Sequence, residues 1–555
     1  MNNLKYKIRI CISILLLTIP SVLYPQSFNW VKSAGSFGFD KVSNMCTDLS
    51  GNIYVAFSGG SPNVYFNSDT LPVSGLNDLF IVKYNSIGNE VWKMKFGGAN
   101  ISTMPAVIEG IGPIVYDSIS NSIYISGKYY QSCLIDTFQL TTFPGSSKGF
   151  VAKINLNGNC IWAKNFGGNT FTGSGPLLAV DKNGKLQVLF QVYNNSNFDT
   201  IAVTPGGYIG KLNSDGTTIY IKKICRLYSQ YQRSVYNFEK LEVLNDITYV
   251  YGGSYDSLTL DTIVLPNSNY YSLVVSAWDT SGSILWAKQS DHSETGTGTM
   301  CMDNSSNMYV LDRFDGPYIT FNSDTLFVNS TRGVYLIKFD KYGNLVWHKS
   351  YPTGGLGNKG AIVDTEGNVY FTGSFIDSIR FGNFVLYSST PNEELFIVRF
   401  DSSGNCIGVR QAGTATGDDI IENSNGELYV AGTFRNTGTF GNISIPSYGS
   451  SDMFLANLSA ITGSGGGNER TYNNQLIIYA NPNKGSFRIK LPDAIATLQN
   501  AFLIVYDQTG REVSRFALDS NSDNPRFEVN SASAGMYTVK LIQEEKVFVG
   551  RMVLE

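Results

Sequence analysis

Hydrophobic and polar residues alternate in short runs along most of this chain, and turn residues separate the runs. Typical runs are GPIVYD, GNIYVAF, LFIVKY and EVWKMKF, in residues 112–117, 51–57, 79–84 and 90–96. Alternation with a period of two, together with β-branched and aromatic enrichment, favours strands over helices. The pattern therefore predicts an all-β protein.

The runs recur in a fixed order, which we name strands A to D in the order given above, with a mean spacing of about 63 residues. Strand B recurs at Tyr54, Tyr124, Gln187, Tyr249, Tyr309, Tyr370 and Tyr429. Strand C recurs at Phe80, Phe150, Tyr208, Leu273, Tyr335, Phe396 and Phe454. Strand D recurs at Trp30, Trp92, Trp162, Tyr220, Trp286, Trp347 and Gly408.

Tight Asp-x-x-Gly turns join many of these strands, for example at 48–51 and 401–404. An Asp carboxylate accepts bonds from backbone N–H groups two residues on, and Gly takes the positive φ of the fourth position without strain. The turns lack the alternating carboxylates of a calcium loop. They are therefore interpreted as hairpin corners.

The two ends of the repeat complete each other. The first D strand, at Trp30, precedes any A, B or C strand, and the last C strand, MFLANL in 453–458, has no D strand after it. A ring whose N-terminal strand finishes the last sheet explains this offset and removes two open sheet edges. We therefore predict a seven-bladed β-propeller over residues 28–459, closed by the N-terminal strand. One tryptophan per blade is expected to fill the space between adjacent sheets.

The repeats resemble the bacterial SBBP β-propeller family. Its pattern D-x-x-G-N-x-Y-V, F-V-x-K-x-x-x-x-G and W-x-K-x-F-G-G stands here as DLSGNIYV, FIVKYNSIG and VWKMKFGG. The resemblance covers about three quarters of the chain and implies the same fold. It is weakest in the third blade, and in the sixth Gly408 replaces the tryptophan.

After Leu458 the composition changes to Gly and Ser, which predicts a flexible linker over residues 460–474. Residues 475–555 contain short alternating strands with turns, and they suit a small Ig-like β-sandwich.

This tail resembles the C-terminal sorting domain of the type IX secretion system of Gram-negative Bacteroidota. The matching residues are Asn481, Pro482, Gly485, Phe487, Tyr506, Asp507, Gly510, Arg511, Gly535, Tyr537 and Lys540. The resemblance implies recognition by an outer-membrane translocon and a secreted or cell-surface location. An ordinary Ig-like binding module is the alternative.

The N-terminus carries Lys5, Lys7 and Arg9, followed by an apolar run from Ile10 to Val22. This predicts a signal peptide over residues 1–27 and no transmembrane segment in the mature chain. The full chain has a net charge of −4 and no basic cluster, which argues against nucleic acid as a partner. Six cysteines remain after the signal, and repeat-equivalent positions of two pairs favour small buried residues over disulfides.

No motif predicts a catalytic residue, a cofactor or a metal site. The two histidines, His292 and His348, lie in different blades without metal-ligand spacing. The acidic pairs Asp418-Asp419 and Glu393-Glu394 are interpreted as solvated loop residues. Acids that converge from different blades are not excluded by sequence spacing.

Asp followed by Ser or Thr and an aliphatic residue resembles the O-glycosylation site of exported Bacteroidota proteins. The hydroxyl residues are Thr70, Ser118, Thr200, Ser257, Thr262, Thr325 and Ser378. Most lie between strands B and C, in predicted exposed turns. The alternative is that Asp-Thr simply begins a strand in each repeat.

These observations favour an exported, non-enzymatic propeller scaffold that binds a glycan or a protein, since loops of a rigid ring are where such folds place function. The alternative is a secreted polysaccharide hydrolase or lyase with acids at the propeller channel. Buried carboxylates in a channel cleft would favour the enzyme, and a flat polar face would favour binding.

Overall fold

A computed structural model describes most of residues 28–461 and 476–554. The residues outside the description are 1–27, 61, 67–68, 75, 98–106, 143–145, 167–174, 199–200, 227–235, 255–256, 267–270, 291–297, 316–317, 322–323, 328–331, 353–355, 389–390, 460, 462–475, 480–482, 491–500, 508–510, 519–525, 530–532, 544–545 and 555. The predicted signal peptide and nearly all of the predicted linker therefore lie outside the described residues.

The chain divides into two compact units, Met1–Gly467 and Asn468–Glu555. The described residues form strands and no helix, so the all-β prediction is confirmed. Within those same residues, no helix has the length and apolar character needed to cross a membrane.

Forty strands make up the described part of the first unit. They are β1 (Phe28–Ala34), β2 (Lys41–Thr47), β3 (Ile53–Gly60), β4 (Asn63–Tyr65), β5 (Thr70–Pro72), β6 (Asn77–Tyr84), β7 (Glu90–Gly97), β8 (Val107–Asp117), β9 (Ser122–Tyr130), β10 (Ser132–Ile135), β11 (Phe138–Thr141), β12 (Ser147–Asn155), β13 (Cys160–Phe166), β14 (Leu177–Val180), β15 (Leu186–Val192), β16 (Ser196–Phe198), β17 (Ile201–Val203), β18 (Gly206–Leu212), β19 (Thr218–Cys225), β20 (Tyr236–Leu244), β21 (Ile247–Ser254), β22 (Leu258–Leu260), β23 (Ile263–Leu265), β24 (Ser272–Trp278), β25 (Ile284–Gln289), β26 (Thr299–Met302), β27 (Met308–Asp315), β28 (Tyr318–Phe321), β29 (Asp324–Phe327), β30 (Arg332–Phe339), β31 (Leu345–Pro352), β32 (Leu356–Val363), β33 (Val369–Phe375), β34 (Ser378–Phe381), β35 (Phe384–Tyr387), β36 (Glu394–Phe400), β37 (Cys406–Glu422), β38 (Leu428–Phe440), β39 (Ile443–Pro446) and β40 (Asp452–Leu458).

Most strands pair in antiparallel groups of four that follow the predicted order A-B-C-D. The groups are sheet 1 (β2-β3-β6-β7), sheet 2 (β8-β9-β12-β13), sheet 3 (β14-β15-β18-β19), sheet 4 (β20-β21-β24-β25), sheet 5 (β26-β27-β30-β31), sheet 6 (β32-β33-β36-β37) and sheet 7 (β37-β38-β40-β1). The long strand β37 serves two groups, because its first part pairs with β36 and its second part with β38.

Short hairpins lie between the B and C strands, where the sequence predicted only turns. Examples are β4–β5, β10–β11 and β22–β23. Strand β10 pairs with β7 of the preceding sheet, and β22 pairs with β19 in the same way. These two hairpins therefore join one sheet to the next.

The A strands lie side by side in sequence order. Strand β2 contacts β8, which contacts β14, and the series continues through β20, β26 and β32 to β37. Strand β37 in turn contacts β2. Four-stranded antiparallel sheets with adjacent first strands are the architecture of a β-propeller.

The N-terminal strand pairs with the last C strand, as the offset of the repeat predicted. In this ladder Ser33 lies opposite Phe454 and Trp30 opposite Asn457. The Trp30 ring also lies 5.7 Å from the ring of Tyr429 in β38, as Trp92 lies 5.9 Å from Tyr54 in sheet 1. Strand β1 therefore takes the D position of sheet 7.

The D-strand tryptophans lie between neighbouring sheets, as expected. Trp92 of sheet 1 donates its indole N–H to the carbonyl of Leu156, at 2.9 Å, in the C–D turn of sheet 2. A Cβ at Gly158 of that turn, where φ is +86°, would lie 3.2 Å from the Trp92 indole. Each such contact buries an aromatic side chain against the turn of the next sheet.

A buried Asp, Tyr and Lys group links the A–B turn to strands B and C. In sheet 1, Tyr54 donates to the Asp48 carboxylate at 2.8 Å, and Lys83 lies 3.7 Å from the same carboxylate. The backbone N–H groups of Ser50 and Asn52 complete the Asp48 contacts. The Asp-x-x-Gly carboxylate of this turn is thus occupied by protein donors.

Two buried aspartates meet at the seam, which we define as the contact of β1 and the β1–β2 loop with β40. Asp40 and Asp452 are 2% and 0% exposed, and the two acids interact electrostatically. Asp40 also accepts from the N–H of Gly60 at 3.0 Å, and Asp452 accepts from the N–H of Tyr448. Burial, followed by the charge of Asp40, raises the pKa of Asp452 to about 7, and burial also raises the pKa of Asp40.

All six cysteines of the described residues are free thiols. Cys133, Cys225 and Cys301 are buried, and the other three are half-buried. The expectation of small buried residues rather than bridges agrees with this arrangement.

The second unit contains two antiparallel sheets around one core. Its strands are β41 (Ile477–Tyr479), β42 (Ser486–Lys490), β43 (Ala501–Tyr506), β44 (Glu512–Leu518), β45 (Arg526–Glu528), β46 (Gly535–Gln543) and β47 (Lys546–Leu554). One sheet has the order β41-β42-β45 and the other β44-β43-β46-β47. Side chains of both sheets, including Phe487 and Leu541, share a single buried cluster.

Candidate functional site

A cavity of about 1070 Å³ lies among the A strands of the first unit. Its walls come from β2, β8, β14, β20, β32 and β37, with Gly298 and Thr299 at the beginning of β26. The lining is mixed, since apolar residues such as Leu178 and Ile420 alternate with charged ones. A cavity of this size suits a small molecule or a few sugar units.

β-Bulges place several of the polar residues that line this cavity. Five of the lining strands shift register, and in the four other than β8 the extra residue is Ser43 in β2, Glu239 in β20, Lys359 in β32 and Asp418 in β37. A bulge bends its strand and re-aims a side chain, and bulges are frequent beside binding sites. All four of these residues line the cavity.

The interpretation of Asp418 and Asp419 as solvated loop residues is wrong. Both lie within β37, and they are 5% and 4% exposed. Asp418 forms an ion pair with Lys359 of β32 and accepts from the Thr433 hydroxyl at 3.3 Å. The polar run was mistaken for a turn because β37 continues from sheet 6 into sheet 7 without one.

The same interpretation is wrong for Glu394 and holds for Glu393. Glu394 begins β36 and is fully buried, where the side-chain amide of Gln411 donates to it at 3.2 Å. Glu393 is exposed in the preceding loop.

Asp419 connects two neighbouring A strands. Its carboxylate accepts from the side-chain amide of Asn44 and from the N–H of Met45, both at 2.8 Å and both in β2. Asn44 in turn accepts from the N–H of Ile114 in β8 at 3.1 Å. A continuous polar link thus runs from β37 through β2 to β8.

Burial raises the pKa of several carboxyls of the cavity. It raises the pKa of Asp418, which Lys359 opposes, and that of Asp419, which Lys240 opposes. Burial also raises the pKa of Glu242, again with Lys240 opposing. Each of these three carboxyls therefore has an ammonium group acting on it.

Glu239 differs from the other carboxyls. Surrounding protein and the like charge of Asp312 raise its pKa to about 7. Its side chain is nevertheless exposed to the cavity, so water there moderates the effect of burial. Among the described residues Glu239 makes no hydrogen bond or ion pair.

Asp312 belongs to a buried cluster of polar side chains near Glu239. It is 1% exposed and hydrogen-bonds to the hydroxyls of Tyr251 and Tyr335, the latter at 3.4 Å. Burial raises the pKa of Asp312 to about 7. An acid of this pKa can hold or release a proton near neutral pH.

His348 is not among the residues that line this cavity. His348 lies half-buried in β31, and burial lowers its pKa. His292 lies outside the described residues. Within the part of the chain that is described, no group of three or more His, Cys, Asp or Glu side chains has metal-binding geometry.

The described residues of the predicted sorting motif lie in the second unit and make contacts within it. Phe487 is buried 5.5 Å from the ring of Phe527, and Tyr537 donates to the carbonyl of Ser533 at 2.7 Å. Lys540 lies 5.2 Å from the ring centre of Tyr506.

Residues at the turns of the same motif form local hydrogen bonds. Arg511 donates to Asp507 across their turn at 3.1 Å. Gly485, at φ +95°, donates to the Asn483 side chain at 2.8 Å. Gly535 begins β46, and Asn481, Pro482 and Gly510 lie outside the described residues.

The predicted O-glycosylation residues are mostly exposed. Ser118 follows β8, and most of the others lie in or next to the hairpins between strands B and C. The exposed residues are Thr70, Ser118, Ser257, Thr262 and Thr325. Ser378 is half-buried at the start of β34, and Thr200 lies outside the described residues.

Comparison with known proteins identifies the second unit. Residues 477–555 match the family described as the secretion system C-terminal sorting domain. This segment is a type IX sorting domain. The domain indicates export to the cell surface or the extracellular space, and it implies interaction with the secretion system.

The first unit has more distant relatives. An uncharacterized WD repeat-containing protein of Acanthamoeba polyphaga mimivirus is 22% identical over 389 residues, which are 63% of this chain and 25% of that protein. The chain thus spans about a quarter of the length of this curated relative.

Several solved structures are similar at low identity. The Dos1 propeller has a TM-score of 0.37 and 10% identity, with 78% of this chain and 97% of that chain covered. The polysaccharide lyase Uly1 has a TM-score of 0.40 and 9% identity, with 75% and 89% covered. An ulvan lyase bound to a saccharide has a TM-score of 0.39 and 10% identity, with 78% and 97% covered. These similarities are too distant to assign a substrate or an activity to this chain.

Proposed function

We propose that the chain is an exported seven-bladed β-propeller that binds a glycan in its central cavity. In this proposal residues 1–27 are the signal peptide, 28–459 the propeller, 460–474 a linker and 475–555 an Ig-like sorting domain. The observation that carries the binding function is the cavity of about 1070 Å³, with its mixed apolar and charged lining. Sugar rings present both apolar faces and hydroxyls, and such a lining complements both.

A closed ring is supported by the arrangement of the tryptophans. Trp30 of β1 lies against Gly88 in the C–D turn of sheet 1, as Trp92 lies against Gly158 in sheet 2. Gly408 is the D-strand residue that would face a C–D turn of sheet 7. Sheet 7 has no such turn, because its D strand comes from the N-terminus, and this accounts for the missing aromatic residue.

The chain after β40 supports the same arrangement. Arg399, opposite Gly408 in the ladder, donates to the carbonyl of Ile461 at 3.2 Å. Arg410 donates to the Ser459 hydroxyl at 2.7 Å. The chain that leaves sheet 7 thus takes the place that a C–D turn takes elsewhere.

The proposal also includes the bacterial source of the protein and its modification by glycans. Gram-negative Bacteroidota are proposed as the source because of the type IX domain, and SBBP-type repeats as the origin of the blades. The exposed Asp-Thr and Asp-Ser positions of the hairpins are proposed as O-glycan acceptors. An intact mass of the native protein without added hexose would contradict that last point.

Glycan-array binding of the full mature chain tests the function. A Glu239→Trp variant places a large side chain at a cavity position that makes no hydrogen bond among the described residues. A Glu393→Trp variant places the same residue on the exposed loop as a control. We expect binding to at least one glycan class that the first variant loses and the second keeps, with unchanged melting temperatures. Absence of binding, or equal binding by both variants, would contradict the proposal.

A polysaccharide hydrolase or lyase is the second candidate. It is favoured by Glu239, a cavity-exposed carboxyl whose pKa is raised to about 7 by its surroundings and by Asp312. Such a group can act as general acid or base at neutral pH. Release of reducing ends, or of unsaturated sugars, from a polysaccharide panel by the wild type and not by Glu239→Gln would support this candidate.

A further inference from the structure

The charges of the cavity are unbalanced. Five carboxyl residues line it, namely Glu239, Glu242, Asp418, Asp419 and Glu422. Three ammonium residues line it, namely Lys41, Lys240 and Lys359. Among the described lining residues, carboxyls therefore exceed ammonium groups by two, and none is an arginine.

Most of the carboxyls already have protein partners. Asp418 pairs with Lys359, and Asp419 accepts two hydrogen bonds from β2. Glu422 accepts from the N–H of Thr365 at 2.9 Å. Lys240 acts on both Asp419 and Glu242. Three of these four carboxyls therefore have hydrogen-bond or ion-pair partners, and the fourth, Glu242, has the nearby charge of Lys240.

Glu239 is the exception. It makes no hydrogen bond or ion pair among the described residues, and the charge that acts on it is that of Asp312, a second carboxyl. A bulge turns it toward the cavity. Glu239 thus has a second carboxyl beside it and no cation acting on it, and a positive ligand would complement such a site.

Thr299 provides a second observation that points to a ligand in this cavity. Thr299, the first residue of β26, lines the cavity and is 2% exposed. Its hydroxyl has no hydrogen-bond partner in the described structure. A buried hydroxyl without a partner costs free energy, which a bound donor or acceptor would recover.

We propose that the cavity selects a glycan that carries a free amino group, and that Glu239 binds the ammonium while Thr299 bonds a neighbouring hydroxyl. The inference rests on the proposed glycan binding and names its ligand class. Acidic glycans are disfavoured by the same excess of carboxyls. Neutral and N-acetylated sugars would leave Glu239 without its counter-ion.

Titration calorimetry with three oligosaccharides of equal length tests this selectivity. The probes are tetramers of glucosamine, N-acetylglucosamine and galacturonic acid, applied to the full mature chain at neutral pH. We expect the amino tetramer to bind at least about tenfold more tightly than the other two, since an unpaired charge is costly to leave buried. Preference for the acetylated or acidic tetramer would overturn the inference and leave glycan binding intact.

Two variants separate charge from shape. Glu239→Gln keeps the size of the side chain and should remove the preference for the amino tetramer. Glu393→Gln removes one carboxyl from the exposed loop and should keep it. Equal selectivity in both variants would overturn the role of Glu239. Failure of all three tetramers and of every array glycan would instead overturn the proposed function itself.

Proton release is a second readout. A bound ammonium should hold Glu239 ionised, so at mildly acidic pH, where the amino groups of the ligand are already protonated, binding should release protons from Glu239. The binding enthalpy of the amino tetramer should therefore depend on the ionisation enthalpy of the buffer in the wild type and less so in Glu239→Gln. No buffer dependence in the wild type would contradict the proposed contact.

Discussion

The junction between sheets 2 and 3 and the seam of β1 with β40 hold neighbouring parts of the propeller by different means. At the ordinary junction, Trp162 packs under the C–D turn of the next sheet and donates its indole N–H to the carbonyl of Ser214 at 3.1 Å. At the seam, β1 pairs with β40 and two buried carboxyls, Asp40 and Asp452, interact electrostatically. The indole contact of the ordinary junction involves no titratable group, whereas the seam contains two buried carboxyls.

The polar groups inside the sheets differ in the same way. Sheet 1 has the charged pair Asp48 and Lys83. Sheet 7 has Asn423 and Asn457 at the equivalent positions, so both charges are absent together. A buried charge is costly without its partner, and paired replacement avoids that cost. Sheet 7 therefore has two neutral asparagines at the positions where sheet 1 has a buried charged pair.

The largest expected effect comes from breaking the ordinary junction. Trp162→Ala should lower the free energy of unfolding by about 3–5 kcal/mol, because it removes a buried indole and leaves a cavity. Denaturant unfolding measures this. Trp162→Phe, which loses the hydrogen bond and less volume, is the control and should cost distinctly less. Equal stability of wild type and Trp162→Ala would contradict the role of the tryptophans.

The next effect tests the charged pair of sheet 1. Asp48→Asn should cost about 2–3 kcal/mol, because Lys83 then remains buried without its counter-ion. The double variant Asp48→Asn and Lys83→Asn reproduces sheet 7 and should recover part of this loss. A double-mutant cycle by denaturant unfolding measures the coupling, and strictly additive losses would contradict it.

A third variant tests why the sixth D strand lacks its aromatic residue. Gly408→Trp should not stabilise the protein, because no C–D turn is present to pack on the indole. Gly408 is already buried, so overpacking should cost about 1–3 kcal/mol. Thermal unfolding measures this change. A gain in stability would mean that unfilled space between the sheets exists at Gly408, and it would contradict this explanation.

The smallest effect is the pH dependence of the seam. Because the folded-state pKa of Asp452 is raised to about 7, its protonated form favours the folded state at low pH, and that stabilisation is lost as pH rises through about 7. The free energy of unfolding should fall by about 1–2 kcal/mol between about pH 5 and about pH 8 from this pair. Asp452→Asn should remove most of that slope and should be the more stable protein at the higher pH. The exposed-site variant Glu393→Gln should keep the wild-type slope.

The repeat made much of the fold predictable from sequence. The strand order, the glycine corners and the pairing of β1 with MFLANL all follow from short local patterns that recur. The hairpins between strands B and C were predicted only as turns, because three-residue strands such as β4 and β5 carry too little alternation. The type IX domain was recognisable because three ordered motifs coincide at the C-terminus.

The cavity was much less predictable. Its polar residues are set by bulges, and a bulge is a register shift that a period-two pattern does not reveal. Asp418 was consequently assigned to a loop, although it lies in the middle of a continuous strand. One usable signal exists: Ser43, Lys359 and Asp418 each stand five residues before the polar residue of the A–B turn. Glu239 does not obey this spacing, and only the structure brings it to the same cavity.

The pairing of β1 with β40 also constrains the order of folding. Asn29 and Asn457, which hydrogen-bond at 2.6 Å, are 428 residues apart in the chain. Contacts of such long range form slowly, because loop-closure entropy is lost before they stabilise anything. During synthesis β1 is made first, and its partner β40 is made only after almost all of the propeller. Until then the edge that β1 covers in the folded sheet is unpaired, and an unpaired edge can pair with other chains.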